Sequence, residues 1–271
     1  MKKLFFFIML LSCAVYSQCP PTTVTLATQA QIDNFIIQYP NCTHVNNLQV
    51  VSPLGNSDIT NLNGLQNITS VGTLRVSGWP IMSLAGLNSL THVENDLLIV
   101  GTRVTSLAPL TNLTYVGREL RIDGNKVSSL APLNNVTHFQ DLFIQDAHFV
   151  NNVYTSYLPT FDLVLNVTTA RIIEITTTHA THYNGLSSLT SITGYMAISG
   201  PTVTNLSGLH NLQSVAGRLS IDVSPAITSY SLSSLQHVGG NFGVGIAGTN
   251  LSFLSSLQSV GGWFLYRRSL I

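Results

Sequence analysis

From Ile59 to Phe264 the aliphatic residues recur at two spacings, three and two, and that phrase repeats along the chain. Ile59, Leu62, Leu65, Ile68 and Val71 fall every third residue, followed by Leu74 and Val76 at the tighter spacing. The phrase returns as Leu84, Leu87, Leu90, Val93, Leu97 and Ile99, and again from Leu107 to Ile122 and from Leu130 to Ile144. It resumes at Leu186, Leu189, Ile192, Met196 and Ile198 and runs to Leu254, Leu257, Val260 and Phe264. The anchors Val71, Val93, Val116 and Phe139 advance in near-equal steps, as do Ile192, Val215, Val238 and Val260. Self-similarity at a period of about 23 residues marks a stack of repeated units. Residues 146–184 depart from it, and the wider gap between Phe139 and Ile192 leaves room for two turns with insertions. One of them is placed around Leu163, Leu165, Val167, Ile173 and Ile175, which makes about nine turns.

One turn is too short to hold a full α-helix. Leu120-Arg121-Ile122 alternates as a half-buried strand does, with Leu and Ile inward and Arg outward. The three-residue spacing suits tight corners and short extended pieces, each turning one aliphatic side chain inward. Gly78, Gly101, Gly124 and Gly200 stand just past the strand, where the chain must turn sharply. Strands stacked at about 4.8 Å give a parallel β-solenoid roughly 40 Å long. Frequent Asn, Thr, Ser and Gly, without long helix-period stretches, argue against helical repeats.

The N-terminal end reads differently. Lys2 and Lys3 precede an apolar run from Leu4 to Leu11, and Val15-Tyr16-Ser17 has the residues a signal peptidase reads, so 1–17 is expected to be a signal peptide. A rival reading makes Leu10-Leu11-Ser12-Cys13 a lipobox with Cys13 lipidated. Beyond the leader stand Cys19 and Cys42, which in an exported chain most simply form one disulfide. Its loop of about 24 residues is worth roughly 3 kcal/mol in the chain-entropy account. Thr28 and Gln31 read as a capping box, Ile32, Phe35, Ile36 and Tyr39 form one apolar stripe, and Pro40 stops the helix. A disulfide-pinned helix at 28–39 within a cap of 18–56 suits the need of a solenoid, residues 57–271, to cover its open end.

Composition narrows the function. The chain has 271 residues, 45% hydrophobic and only 8% charged, with 11 basic and 11 acidic groups. Past the leader the balance is nine basic against 11 acidic. No basic stripe exists to replace phosphate counterions, so a nucleic-acid partner is excluded. No segment beyond the leader is apolar enough to span a membrane, and nothing calls for a cofactor.

Two kinds of motif resemble a known family. Thr28-Gln-Ala-Gln-Ile-Asp-Asn-Phe35 with Tyr39-Pro-Asn-Cys42 is similar to the start of bacterial secreted leucine-rich proteins with receptor L-domain-like repeats. Ser57-Asp-Ile-Thr-Asn-Leu-Asn-Gly-Leu65 and Ser106-Leu-Ala-Pro-Leu-Thr-Asn-Leu-Thr-Tyr-Val-Gly117 resemble their repeats. The resemblance covers nearly the whole chain past the leader. It implies an all-β, right-handed parallel β-helix on an exported, surface-associated protein. Longer relatives also carry a C-terminal sorting domain, whereas this chain ends at Trp263-Phe-Leu-Tyr-Arg-Arg-Ser-Leu-Ile271.

Candidate chemistry lies on the outward strand face. Outward positions are Asp96, Leu98 and Val100 in one turn, Glu119, Arg121 and Asp123 in the next, then Asp141, Phe143 and Gln145, with Arg75 extending the column. Later turns present Arg218, Ser220 and Asp222, then Asn241, Gly243 and Gly245, so charge and bulk gather in the first half. The expected ligand-binding set is Arg75, Asp96, Leu98, Glu119, Arg121, Asp123, Asp141 and Phe143. Arg121 and Phe143 are its anchors, because Arg and aromatics dominate binding hot spots. The expected function is non-enzymatic recognition or adhesion by a monomer, with a protein or glycan as ligand. The alternative is a polysaccharide hydrolase or lyase using Asp96, Glu119 and Asp141, one rung apart and within the roughly 5 to 9.5 Å of glycosidase carboxylate pairs. A flat column of acids is not a cleft, however, and no Lys base accompanies it.

His92, His138 and His237 share one polar corner with Tyr115, and His179-Ala-Thr-His182 lies in the irregular stretch. No third ligand converges on either group, so no metal site is expected. Seven Asn-X-Ser/Thr triplets occur, at Asn41, Asn67, Asn112, Asn135, Asn166, Asn205 and Asn250. Repetition of one Asn-(Leu/Ile/Val)-Thr element accounts for Asn67, Asn112 and Asn135 without any glycosylation role.

Overall fold

The computed structural model describes residues 19–52, 58–146, 148–150, 153–155, 158, 161–224, 227, 231–246 and 251–268. The leader, Cys13 and the triplet at Asn250 lie outside them.

Each turn contributes one strand to a long parallel sheet. The strand order is Thr23–Leu26, His44–Val51, Ser70–Ser77, Asp96–Val100, Glu119–Asp123, Asp141–Gln145, Ile172–Thr176, Met196–Gly200, Leu219–Val223, Phe242–Ile246 and Phe264–Arg268. Neighbours along the chain are neighbours in the sheet. Register keeps like on like: Leu97 pairs with Leu120 and Leu120 with Leu142, while Ile99, Ile122 and Ile144 form the next inward row. A second ladder of two-residue strands, Thr169–Ala170, Ser191–Ile192, Ser214–Val215, His237–Val238 and Ser259–Val260, lines another side. A third corner carries single 3-10 turns such as Asn63–Leu65, Ala108–Leu110 and Ser207–Leu209.

The periodic aliphatics form one continuous core. The exception is the last copy, where Leu257 and Val260 are only partly buried and Phe264 is 42% exposed. Among the described residues no further rung lies over it. After the strand the chain reverses at Gly101 and Gly124, both at φ of 61°, a left-handed conformation that favours glycine. Gly200 differs from the expectation: it ends its strand without a left-handed φ.

The irregular stretch holds one rung rather than two. Asp141–Gln145 pairs directly with Ile172–Thr176, which pairs with Met196–Gly200. The chain therefore travels further from Leu142 to its partner Ile173 than from Leu120 to its partner Leu142. The surplus includes an antiparallel hairpin of His148–Val150 and Val153–Thr155. Leu163, Leu165, Val167, Ile173 and Ile175 are buried.

The Asn-X-Thr triplets are stitches between rungs. The side-chain amide of Asn112 donates to the Asn88 carbonyl at 2.8 Å, and that of Asn135 to the Thr111 carbonyl at 2.8 Å. Asn67 does the same to Pro40 at 3.0 Å. Two positions on, the hydroxyls of Thr69, Thr114 and Thr137 donate to the carbonyls of Thr43, Thr91 and Thr114. The Asn amides thus give corner carbonyls a partner, while the Thr hydroxyls add to carbonyls that already accept a backbone N–H from the next rung.

At the N-terminal end the helix spans Gln29–Gln38, with Thr28 as N-cap and the reciprocal Thr28–Gln31 capping box. Ile32 and Phe35 are buried. Gln29 reaches forward, its side-chain oxygen accepting from the backbone N–H groups of Thr60 and Asn61. Cys19 and Cys42 are disulfide-bonded.

Candidate functional site

The outward face of the long sheet has three columns, set by strand alternation and exact register. The first runs Asp96, Glu119, Asp141, Ile172, and continues through Tyr195, Arg218, Asn241 and Trp263, each just ahead of its strand's first paired residue. The middle column runs Arg75, Leu98, Arg121, Phe143, Glu174, Ala197, Ser220, Gly243 and Leu265. The third includes Val100, Asp123, Gln145, Thr176, Ser199 and Asp222.

The first half of this face is closed upon itself. Asp96 and Asp141 occupy the outward register expected for them yet are 7% and 2% exposed. The cause is a residue from the following turn. Arg118 folds back and grips Asp96 with two donors, Nε at 2.6 Å and Nη2. The Asp96 carboxylate pushes the Arg118 guanidinium still further above its ordinary pKa. Arg171 does the same from beyond the hairpin, its Nη2 donating to Asp141. The other Asp141 oxygen is buried with no hydrogen-bond partner among the described residues. Glu119 is engaged by Arg121 Nε, and Arg121 Nη1 stands 3.9 Å from Asp123. The Arg121 guanidinium also lies 4.0 Å over the Phe143 ring, in cation–π geometry. Arg75, exposed between Gln49 and Leu98 in the column, donates to Ser77 at 3.3 Å. Of the residues expected to bind, Asp96 and Asp141 are therefore not presented, and Arg121 and Phe143 spend much of their capacity on each other. Leu98, Glu119, Asp123 and Phe143 are half-buried. The depression that touches Arg121 and Phe143 measures about 20 Å³.

The second half is open. The middle column shrinks from Phe143 and Glu174 to Ala197, Ser220 and Gly243, then rises again at Leu265. Two adjoining depressions follow. One of about 380 Å³ is lined by Arg218, Ser220, Asn241, Gly243, Trp263 and Leu265, and one of about 170 Å³ by Ser220, Asp222, Gly243, Gly245 and Leu265. Trp263 is 83% exposed and Leu265 59%. Upstream of the depressions the Tyr195 hydroxyl donates to Glu174 at 2.8 Å and Arg218 stands 5.6 Å from the Tyr195 ring. Burial and the bond to Glu174 push the Tyr195 phenol up.

Two aromatic clusters stand at corners away from this face. His92, Tyr115 and His138 stack face to face, with centroids 4.2 and 4.7 Å apart. Trp79 has Arg103 and Lys126 at 5.6 and 5.5 Å from its ring. Among the described residues no three His, Cys, Asp or Glu side chains converge as metal ligands, and no helix is long and apolar enough to cross a membrane. Arg118 and Arg171 escaped sequence reasoning because each stands just before its strand and off the outward alternation, whereas Trp263 stands in the outward register that Arg218 and Asn241 already mark. The available signal was positional: the residue preceding a strand can lie over the previous rung.

Architecture and face together define a protein of stacked parallel turns with a broad sheet surface. Within it, the family model of the Receptor L domain matches residues 167–241. No curated protein matches the chain.

Proposed function

We propose that this chain is an exported recognition protein, secreted or held at the cell surface, that binds a protein or glycan through the outward face of its long sheet and performs no catalysis. The observation that carries the reading is the Receptor L domain match at 167–241, a ligand-binding, non-enzymatic domain type, on rungs whose outward face opens as the first half closes. The disulfide agrees with export, since such bonds persist in oxidising compartments. The leader read at residues 1–17 agrees as well. A polysaccharide hydrolase or lyase using Asp96, Glu119 and Asp141 would need carboxylates free to exchange protons with substrate. Arginines engage all three.

The test is binding and turnover in parallel. The protein is applied to glycan and surface-protein arrays, and incubated with the same polysaccharides while new chain ends are followed. The expected result is a retained ligand, no product, and weaker retention when an outward position carries a bulky charge, as in Leu98→Arg or Ala197→Arg. Product formation would overturn the reading in favour of the enzyme. Retention indifferent to both substitutions would move the site off this face.

A further inference from the structure

Most glycines of this chain have a visible structural reason. A Cβ on Gly64 would sit 1.7 Å from the Ile32 carbonyl oxygen, and one on Gly208 1.9 Å from that of Tyr183. Gly101 has room but a left-handed φ. Among the described residues only Gly243 and Gly245 have neither reason. A Cβ on Gly243 would meet nothing within 4 Å, and one on Gly245 only ordinary contacts, the nearest being Asp222 Oδ1 at 3.7 Å. Both stand outward in Phe242–Ile246, a strand paired on both sides. A glycine inside a strand is destabilising relative to alanine and often marks close approach of a ligand.

These glycines floor the open half of the face. The wall on one side is Arg218, Asn241 and Trp263, and Asp222 stands on the other, with Leu265 at the end. We infer that this trough is a binding site for a neutral oligosaccharide, an assignment that rests on the recognition reading above and narrows its ligand. The exposed indole and Leu265 offer an apolar surface for the C–H face of a sugar ring. Ser220, Asp222, Asn241 and Arg218 offer acceptors and donors for its hydroxyl edge. Among the described lining residues Arg218 is the cation and Asp222 the carboxylate, so their charge favours neither an acidic nor a basic ligand. Rungs about 4.8 Å apart present these groups at roughly the width of a sugar ring. A peptide is less well served on the floor itself: Gly243 is paired with Ser220 on one side and Leu265 on the other, so the floor strand offers no free edge there for strand addition.

The test uses neutral hexasaccharides of glucose, mannose, xylose and N-acetylglucosamine. They are titrated against the full chain carrying Trp79→Phe, so that Trp263 alone reports by fluorescence. At least one sugar should shift the Trp263 emission saturably. Trp263→Ala, followed by calorimetry, should weaken that sugar at least about tenfold. In the series Gly243→Ala, Gly243→Val, Gly243→Phe, affinity should fall with side-chain size while the melting temperature holds or rises, because the site is open and β-branched residues suit strands. Affinity indifferent to this series would overturn the assignment. So would a ligand, sugar or protein, that is lost with Leu98→Arg but kept with Gly243→Phe, although the recognition reading would then survive. An array on which nothing is retained would sink both.

Discussion

Asp96 and Asp141 owe their burial to arginines that arrive from the following turn. For Asp141, whose other oxygen is already buried without a partner among the described residues, losing the arginine takes away the counter-charge and costs more than the contact itself contributes. Arg171→Ala should therefore lower stability by about 1–3 kcal/mol in urea titration, whereas adding Asp141→Leu should restore much of it. Tyr183 makes a second residue-level prediction. It is fully buried, its ring edge-on to Phe161, and its hydroxyl bonds Thr177 at 2.7 Å and donates to the Ser199 carbonyl at 3.2 Å. Burial pushes this phenol well above its ordinary pKa of 10.0. Below pH 10 both folded and unfolded states keep the proton and the contribution is complete. Above it the unfolded chain ionises while the folded chain does not, so stability falls by about 1.4 kcal/mol per pH unit. Tyr183→Phe should cost roughly 1 kcal/mol at neutral pH and flatten the alkaline decline. Equal alkaline slopes for the two proteins would show the phenol to be accessible.

At the scale of elements, the helix Gln29–Gln38 is held from both ends. The disulfide ties Cys42 to the segment before the helix, and Gln29 is tied to Thr60 and Asn61. Gly64 allows the helix backbone to approach the first 3-10 turn closely. We read the helix as a lid on the N-terminal turns. Reduction, or Cys19→Ser with Cys42→Ser, should lower stability by roughly 3 kcal/mol, with hydrogen exchange rising first in the helix and in His44–Val51. Unchanged stability would remove the lid from the account. The helix was legible residue by residue, because caps and apolar stripes are local signals. So were the strands, where Leu120-Arg121-Ile122 fixes inside and outside by period two. The insertion was not: the stretch from Phe139 to Ile192 has room for one rung or two, and only the pairing of Ile173 with both Leu142 and Met196 decides.

At the scale of the whole molecule, the legible part is the part that repeats. The site is legible only in fragments, since burial of Asp96 and openness above Gly243 are relations between rungs. Glycines at 243 and 245 read identically in sequence to those at 239 and 240, whose added Cβ atoms would strike backbone. Stacking in register also has a mechanical meaning. The strand hydrogen bonds and the Asn and Thr stitches all run along the stacking axis, so a pull between the ends loads one rung at a time. A peeled turn of about 23 residues releases roughly 75 Å of slack. Single-molecule stretching should give a regular sawtooth with that increment and one longer tooth for the rung that carries the insertion between Leu142 and Ile173; a single rupture would contradict it. A chain of this build, tethered at a surface, would yield to shear by paying out length in measured steps while the remaining rungs stay folded.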